Sequence, residues 1–286
     1  MLVLALDSSA TASVALARID SDAPGASAEI LASYESEDTR SHAEVMAPYA
    51  AQVLADTGLD GAAVDAVLTG TGPGPFTGLR AGIMTARTLG FAWNKPVYGL
   101  MSLTAIVERA FADGAFRDSR TAANSGMNRA AVETLVASDA RRREIYCALF
   151  AVTENGYSLA AGPSVGPAHQ THAPAYDPSD LAAPALGYGA GLYTEVLTAS
   201  GWDVLTDYAH LHPTAADLVK AAARCGVKNL SRDTQALYLR ESDAKVPAAM
   251  LARTASAQPP HGQQSTGEQQ KTRGQQPAPA APAREQ

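Results

Sequence analysis

A carboxylate and several hydroxyls stand together at the end of the first apolar run of the sequence. The run Leu2–Leu6 ends in Asp7, and Ser9 and Thr11 follow closely. In a hairpin turn, short hydroxyls and free backbone amides can surround a phosphate, and Asp7 could hold a metal-bound water. The same residue types also close an ordinary β-turn. Asp7, Ser9 and Thr11 are therefore candidate phosphate ligands, with a purely structural turn as the alternative.

Glycine and proline dominate residues 70–78, which read GTGPGPFTG. This density forbids regular structure through Pro75, while an apolar strand precedes the segment and a helix follows it. An anion could therefore bind to exposed amides at the helix N-terminus. No Gly-Lys-Ser/Thr follows the glycines and two prolines interrupt them, so the segment is neither a Walker A loop nor a dinucleotide fingerprint. A rigid turn that lets two helices pack closely is the other interpretation.

The helix predicted for residues 41–57 has only half of a possible metal pair. Two ligands on one helix face need a spacing of three or four residues, and Met46 stands four residues after His42. A thioether is a poor ligand for a hard catalytic metal, so the sequence predicts no metal site and assigns His42 to capping or packing. No Ser/His/Asp or Cys/His arrangement for nucleophilic catalysis is legible either.

Two similar strand–turn–strand units position these residues. One spans residues 2–19 and the other residues 132–152, and each turns next to an Asp. Together they predict an α/β fold of two lobes, each opening with a hairpin. Further strands are predicted at 29–35, 64–69 and 96–99, and further helices at 77–93, 103–111 (capped by Ser102) and 214–225 (capped by Thr214). A strand from 185 leads into a glycine turn at 187–191 and another helix; this turn either lies against a nucleotide base or simply connects the strand to the helix. Residues 163–184 are predicted to be loop-rich and residues 236–240 extended.

Charge and composition narrow the function classes. The chain of 286 residues has a net charge of −7, and its last segment, 248–286, contributes +2. That segment is rich in Pro, Gln, Ala and Ser and lacks large apolar residues, so it is predicted to be disordered. An acidic folded body argues against independent binding of tRNA or DNA, which needs a clustered basic face. Arg141–Arg143 form the nearest basic run, typical of a solvated turn.

Cysteine usage and hydropathy indicate a cytoplasmic protein. Cys147 and Cys225 form neither a CxxC motif nor a disulfide framework. The first apolar run has no basic region before it and is interrupted by Asp7, so we expect a strand rather than a signal peptide. No apolar run is long enough for a membrane span, and no membrane association is expected.

The order of these motifs resembles the TsaB (YeaZ) family. The resemblance is carried by LALDSSATASVAL from Leu4, SHAEVMAP from Ser41, TGTGPGPFTGLRAGIMTARTLG from Thr69, VYGLMSLTAI from Val97, ASDARRREIY from Ala137 and LYLR from Leu237. It covers most of residues 2–240, and residues 70–90 are its most specific part. The resemblance implies two actin-like lobes of the sugar kinase, Hsp70 and actin superfamily, which are ribonuclease H-like.

The resemblance also implies a function and partners. A member of this family is a non-catalytic partner of TsaD and, with the ATPase TsaE, supports formation of threonylcarbamoyladenosine in tRNA. The modified adenosine lies next to the anticodon of tRNAs that read codons beginning with A. The chain would have no cofactor of its own, ATP would be used by the complex, and tRNA would be met only through the complex. Alone, it would form a homodimer. The alternative is a stand-alone enzyme of the actin-like fold, a phosphotransferase or a peptidase.

The family further implies an interface on the helices at 41–57 and 77–93. Small residues on both helices suit close packing against TsaD or a second copy, although burial against the chain's own sheet is the other interpretation. The expected interface residues are His42, Met46, Tyr49, Ala50, Val53, Leu79, Ile83, Ala86, Arg87 and Gly90.

The implied domain boundaries put residues 1–107 in the first lobe, completed by residues 211–245. Residues 108–210 form the smaller second lobe, with a mobile insertion at 113–130. The insertion and the tail at 248–286 lie outside the family core. Arg141–Arg143 also depart from the superfamily, because its kinases have a glycine-containing phosphate turn there. Bulky arginines would crowd a nucleotide in the cleft.

Overall fold

The computed structural model describes residues 1–36, 42–116, 131–172 and 182–240, without the side chains of His42 and Ala43. The strands of these residues form two five-stranded sheets that mix parallel and antiparallel pairs. Residues 1–241 make up one compact unit, so the predicted boundaries between lobes stay a prediction.

The first sheet has the strand order β3-β2-β1-β4-β5. Its strands are β1 Leu2–Asp7, β2 Ser13–Ile19, β3 Ala28–Glu35, β4 Ala66–Gly70 and β5 Val97–Leu100. The helices that follow these strands are α1 His42–Thr57, α2 Phe76–Trp93 and α3 Leu103–Ala112. The first three strands form an antiparallel meander, while β4 and β5 run parallel to the central β1.

The second sheet has the strand order β10-β9-β6-β7-β8. Its strands are β6 Val132–Asp139, β7 Glu144–Thr153, β8 Gly156–Pro167, β9 Ala183–Leu186 and β10 Trp202–Val204. The remaining helices are α4 Tyr188–Leu192, α5 Thr194–Ala199 and α6 Ala215–Cys225, and short 3₁₀ turns occupy Ala168–Gln170, Thr206–Tyr208 and Val227–Asn229. The antiparallel β6–β7–β8 meander repeats that of β1–β3, which confirms the predicted fold of two similar lobes.

Helices cover both faces of the first sheet. Leu4 and Leu6 of β1 pack with α1 and α2, whereas Val3 and Ala5 point to the opposite face and pack with α6. Successive strand residues point to opposite faces, so a strand buried on both sides must be apolar throughout. This explains the continuous apolar run from Leu2.

Helix α3 joins the two lobes. Leu103 and Ile106 pack under the second sheet against Val136 and Phe150. On the other side, α3 packs against α6.

The capping prediction holds for one helix and fails for another. Thr214 caps α6, and its Oγ1 accepts the Asp217 N–H at 3.1 Å, as predicted. Ser102 was expected to cap α3 in the same way, but its backbone is already helical and its Oγ accepts the Gly72 N–H at 3.0 Å instead. That hydroxyl therefore ties the glycine-rich loop to α3.

The prediction for residues 163–184 is wrong at both ends. Strand β8 continues to Pro167, and β9 begins at Ala183. Pro163 is compatible with β8 because this strand lies at the edge of its sheet, where a missing N–H is tolerated. Residues 236–240 form no strand, although the Leu237 N–H donates to the Thr71 carbonyl at 2.8 Å. The cap at Ser41, most of the 113–130 insertion and the 248–286 tail lie outside the described residues.

Candidate functional site

Asp7 organises the turn at the end of β1. Its side chain is completely buried at the centre of the first sheet. Its Oδ1 accepts two hydrogen bonds from Ser9, from the backbone N–H at 2.9 Å and from Oγ at 2.7 Å. A Cβ on Gly70 would lie 1.7 Å from Asp7 Oδ2, so only glycine allows β4 to end this close to the carboxylate. The Ser9 hydroxyl proton is thus committed to Asp7.

The glycine-rich loop packs directly on this turn. Ser8 Oγ donates to the Gly78 carbonyl at 2.7 Å and accepts the Gly82 N–H at 3.0 Å. A Cβ on Gly82 would lie 2.3 Å from that hydroxyl, and a Cβ on Gly74 would lie 2.5 Å from the Ser9 carbonyl. These close approaches favour the interpretation of residues 70–78 as a rigid turn that seats α2 against the first hairpin.

The third phosphate candidate is also engaged within the chain. Thr11 Oγ1 donates to Glu35 Oε1 at 3.2 Å, and both Ser9 and Thr11 are almost fully buried. The structure brings Asp7, Ser9 and Thr11 together as predicted. It commits the Ser9 and Thr11 hydroxyl protons to carboxylates, so these hydroxyls could serve a phosphate only by giving up those bonds.

A cleft of about 710 Å³ opens in front of this turn, between the two lobes. Its lining residues come from both hairpins and the segments beside them: Ser9, Ala10, Thr11, Glu35, Ser36, Pro75, Asp139, Arg141, Tyr188 and His212. Arg141 forms an ion pair with Asp139 at 3.2 Å. Glu35 is a second carboxylate in the lining. Carboxylates repel a negatively charged phosphate group unless a cation binds with it. Within the described residues, no group of three or more His, Cys, Asp or Glu side chains could hold a metal ion.

His212 and Tyr188 fill one wall of the cleft. Their rings are tilted against each other with centroids 4.5 Å apart. His212 Nδ1 is buried without a hydrogen-bond partner in the structure. Burial lowers the pKa of His212 below its ordinary value, while nearby Asp139 acts in the opposite direction. From the sequence alone, His212 has no assigned role, whereas Tyr188 lies in the glycine turn that either contacts a nucleotide base or connects a strand to a helix.

The second hairpin turns through three left-handed residues. Arg141, Arg142 and Arg143 have φ angles of 61°, 55° and 65°. This conformation costs a non-glycine residue about 1–2 kcal/mol. The Arg141 N–H donates to Asp139 Oδ1 at 2.7 Å, which helps to hold the turn. All three side chains are exposed and only Arg141 lines the cleft, so crowding of the cleft is confined to one of the three arginines.

The expected interface residues are mostly inside the molecule. Those that are buried are Met46, Ala50, Val53, Leu79, Ile83, Ala86 and Gly90. Tyr49 is half-buried and Arg87 is exposed, whereas the side chain of His42 lies outside the described part. The buried residues face the chain's own sheet because they form the apolar stripe of each helix. Their burial favours the other interpretation given to their small residues, and the interface itself stays a prediction.

The opposite faces of α1 and α2 are exposed. Ala47 and Ala51 of α1 are open to solvent, and Met84 and Phe91 of α2 are 54% and 90% exposed. Met84 and Phe91 are seven residues apart, about two helical turns, so they lie on the same face of α2. Any contact with a partner along these helices would be made by exposed residues such as these.

A buried ion pair was missed by sequence reasoning. Glu108 of α3 is 2% exposed and accepts two hydrogen bonds from Arg224 of α6, at 2.6 and 2.7 Å. Tyr157 of β8 donates to the same carboxylate at 2.6 Å. The signal available was an acidic residue inside the otherwise apolar sequence LTAIVERAFA, but the sequence does not indicate its partners.

Comparison with known proteins points to one family. The model of the family described as TsaD, tRNA N6-adenosine threonylcarbamoyltransferase, matches residues 29–182, which is more than half of the chain. A solved structure, described as an uncharacterized protein with similarity to peptidase YEAZ from Pseudomonas aeruginosa, is similar with a TM-score of 0.63 and 28% identity. That similarity covers 84% of this chain and 99% of the solved one.

Two curated relatives match shorter stretches. An uncharacterized protein of Mycobacterium tuberculosis is 43% identical over 113 residues, which are 40% of this chain. The tRNA threonylcarbamoyladenosine biosynthesis protein TsaB of Escherichia coli is 32% identical over 117 residues, which are 41% of this chain. The matched stretch spans 44% of the length of each relative.

Proposed function

The chain belongs to the TsaD family and, within it, to the TsaB (YeaZ) type, and from this premise we propose that it is a non-catalytic subunit in threonylcarbamoyladenosine formation in tRNA. TsaD would carry out the transfer and TsaE would turn over ATP, while this chain would bind TsaD. The acceptor would be the adenosine next to the anticodon in tRNAs that read codons beginning with A. The chain itself would need no cofactor.

The observation that carries the proposal is that the hydroxyls of the turn at Asp7 are hydrogen-bonded within the chain. In an enzyme of the actin-like fold, this turn would have to present free donors to a phosphate. Here the Ser8 hydroxyl donates to a carbonyl of α2, and the Ser9 and Thr11 hydroxyls donate to carboxylates. Met46 lies fully buried on the helix where a TsaD-type metal pair would be expected. These contacts support a turn and a helix with structural roles.

The exposed face of α1 and α2 supports a docking role. Ala47 and Ala51 expose small side chains on α1, and Met84 is exposed on α2. Small residues let another helix approach closely, and an exposed methionine adds adaptable apolar area. The same face could bind TsaD or, when the chain is alone, a second copy in a homodimer.

The stand-alone enzyme is the competing function, and the interlobe cleft is where it would act. The experiment is a measurement of ATP hydrolysis and of peptide cleavage by the purified full-length chain, with and without divalent cations. The proposal predicts no turnover above a protein-free blank. Turnover that disappears in Asp7→Asn, with folding confirmed by circular dichroism, would establish the enzyme instead.

A further inference from the structure

A second concavity lies at the C-terminal end of α2 and shares no lining residue with the interlobe cleft. Its volume is about 540 Å³, which is within the range of small-ligand sites. It is lined by Arg87, Gly90, Phe91, Asn94, Lys95, Pro96, Val97 and Arg232. Asn94 ends α2 in the left-handed conformation, so that the chain turns sharply and brings Lys95 beside the last helical turn. We call this concavity the basic pocket.

Three cations from three different segments converge on the basic pocket. Arg87 comes from α2, Lys95 from the turn after it, and Arg232 from the segment after α6. No Asp or Glu belongs to the lining formed by the described residues. Each cation donates to a neutral oxygen: Arg87 Nε to Thr234 Oγ1 at 2.7 Å, Lys95 Nζ to the Ala62 carbonyl at 2.9 Å and Arg232 Nη2 to Tyr98 Oη at 3.4 Å.

The basic pocket stays positive although it lies at the C-terminal end of a helix. The C-terminus of α2 carries a partial negative charge of about half an elementary charge. Three full positive charges exceed it severalfold. A guanidinium also has five N–H donors, which is more than these contacts to neutral oxygens require. In a chain with a net charge of −7, this is a local positive site.

An aromatic ring stands beside the cations. Phe91 is 90% exposed, although the hydrophobic effect disfavours a ring in solvent. Cations next to an open aromatic face are the combination that binds unpaired nucleotides, because the cations hold the phosphate and the ring stacks on the base. A carboxylate ligand would use the cations and leave the ring without a role.

We propose that the basic pocket holds one nucleotide of an RNA strand, with its phosphate among Arg87, Lys95 and Arg232 and its base stacked on Phe91. A strand fits better than a free nucleotide, because isolated small ligands are buried over most of their surface. The open side of the Phe91 ring leaves room for neighbouring nucleotides. The inference rests on the proposed function, in which tRNA is the substrate of the complex. A single pocket gives weak binding, so the strand would be held mainly by the other subunits.

The test is fluorescence anisotropy of a labelled single-stranded oligoribonucleotide titrated with the full-length chain, at low and at physiological salt. Lys95→Gln and Arg232→Gln should each weaken binding and lower the slope of log Kd against log salt by about 1. Phe91→Ala should weaken binding about 5- to 100-fold. The matched control is Arg18→Gln, which removes an exposed cation paired with Glu29 and should leave the affinity unchanged.

Three results would overturn the proposal. The first is unchanged RNA affinity in all three pocket variants. The second is binding of AMP as tight as that of the oligonucleotide, which would indicate a free-nucleotide site. The third is displacement of the RNA by a polyglutamate peptide whose own binding is insensitive to Phe91→Ala, which would indicate an acidic protein segment. Because the assay uses no partner protein, its failure is separate from failure of the proposed function, which is measured by tRNA modification.

Discussion

At the residue scale, the buried Glu108 carboxylate is held by partners from two other elements. It receives hydrogen bonds from Arg224 and Tyr157, while the Arg224 guanidinium also stacks over the ring of Phe111 at 4.5 Å. Burial and the neighbouring carboxylate raise the pKa of Tyr157 far above its ordinary value, so it remains a donor. These contacts connect α3, α6 and β8 at a single carboxylate.

Glu108→Gln should therefore lower the free energy of unfolding by about 3 kcal/mol, because it leaves the partly buried Arg224 without its counter-charge. Urea unfolding followed by circular dichroism measures this loss. The control is Asp113→Asn, which breaks an exposed pair with Arg109 and should cost less than about 1 kcal/mol. Equal effects of the two substitutions would contradict the role of burial.

His212 gives a pH-dependent prediction. Burial lowers the pKa of His212 in the folded protein below its value in the unfolded chain, about 6.5. The unfolded chain then binds the proton more tightly, so the contribution to stability is complete above pH 6.5 and is lost as the pH falls below it. His212→Phe keeps a ring against Tyr188 and cannot be protonated.

The measurement is the difference in Tm between pH 7.5 and pH 5.5. This difference should be smaller in His212→Phe than in the wild type. His210→Phe is the control, because His210 is exposed, and it should keep the wild-type difference. An identical pH dependence in all three proteins would show that His212 titrates normally.

It was easier to predict which residues lie close together than which hydrogen bonds they form. The grouping of Asp7, Ser9 and Thr11 followed from their spacing at the end of a strand. The sequence left open whether the hydroxyls were free or bonded. Ser9 donates to the nearby Asp7, but the partner of Thr11, Glu35, comes from another strand. The pairing of Glu108 with Arg224 spans 116 positions and had no local signature.

At the element scale, the close packing of α2 against the first hairpin depends on Gly82. In an isolated helix, Gly82→Ala would be stabilising by up to about 1 kcal/mol. Here the added Cβ would meet Ser8 Oγ at 2.3 Å, so we expect Gly82→Ala to be destabilising, by about 1–3 kcal/mol. Thermal unfolding of Gly82→Ala, Ser8→Ala and the double variant measures the coupling.

The double variant should lose less stability than the sum of the single losses, since Ser8→Ala removes the hydroxyl that clashes. Additive losses, or a stabilising Gly82→Ala, would contradict the close approach of α2 to the first hairpin.

The exposed face of α2 gives the interface prediction. Met84→Glu should weaken association with TsaD at least about tenfold, because a carboxylate would be buried in an apolar contact, and should leave the fold intact. Analytical ultracentrifugation of the mixed proteins measures this. Leu159→Glu, at a similarly exposed apolar position on β8, is the control and should associate normally.

Undiminished association of Met84→Glu would exclude this face. Arginine at Ala50 or Ala86 is unsuitable for the test, because both side chains are completely or almost completely buried and the substitutions would disrupt the core.

Elements with clear hydrophobic periodicity or glycine punctuation were predictable, including the short β5, and elements without these signals were not. Helices α1, α2 and α6 and the strands of both hairpins lie close to their predicted bounds, since hydrophobic periodicity and glycine punctuation define them. Strand β8 was missed because GYSLAAGPSVGP contains glycines and prolines, which are tolerated at a sheet edge. The helix predicted after the glycine turn forms as two short helices, α4 and α5. The short β10 is defined by packing around Trp202, which local propensity does not reveal.

At the scale of the whole molecule, both lobes meet at α3 and around one cleft. The fold class followed from two hairpins of similar order, and the family follows from the comparisons. Among the described residues, no helix has the length and hydrophobicity needed to cross a membrane. The sequence did not reveal which residues line the cleft, because they are distant in the sequence, the first being Ser9 and the last His212.

The proposed role is tested most directly by reconstituting tRNA modification from purified TsaD and TsaE, ATP, the threonylcarbamoyl donor and an unmodified tRNA, with and without this chain. Nucleoside mass spectrometry counts threonylcarbamoyladenosine per tRNA. We predict modification when the chain is present, including its Asp7→Asn variant if that variant folds, and only background when the chain is omitted. Equal modification without the chain would contradict the account.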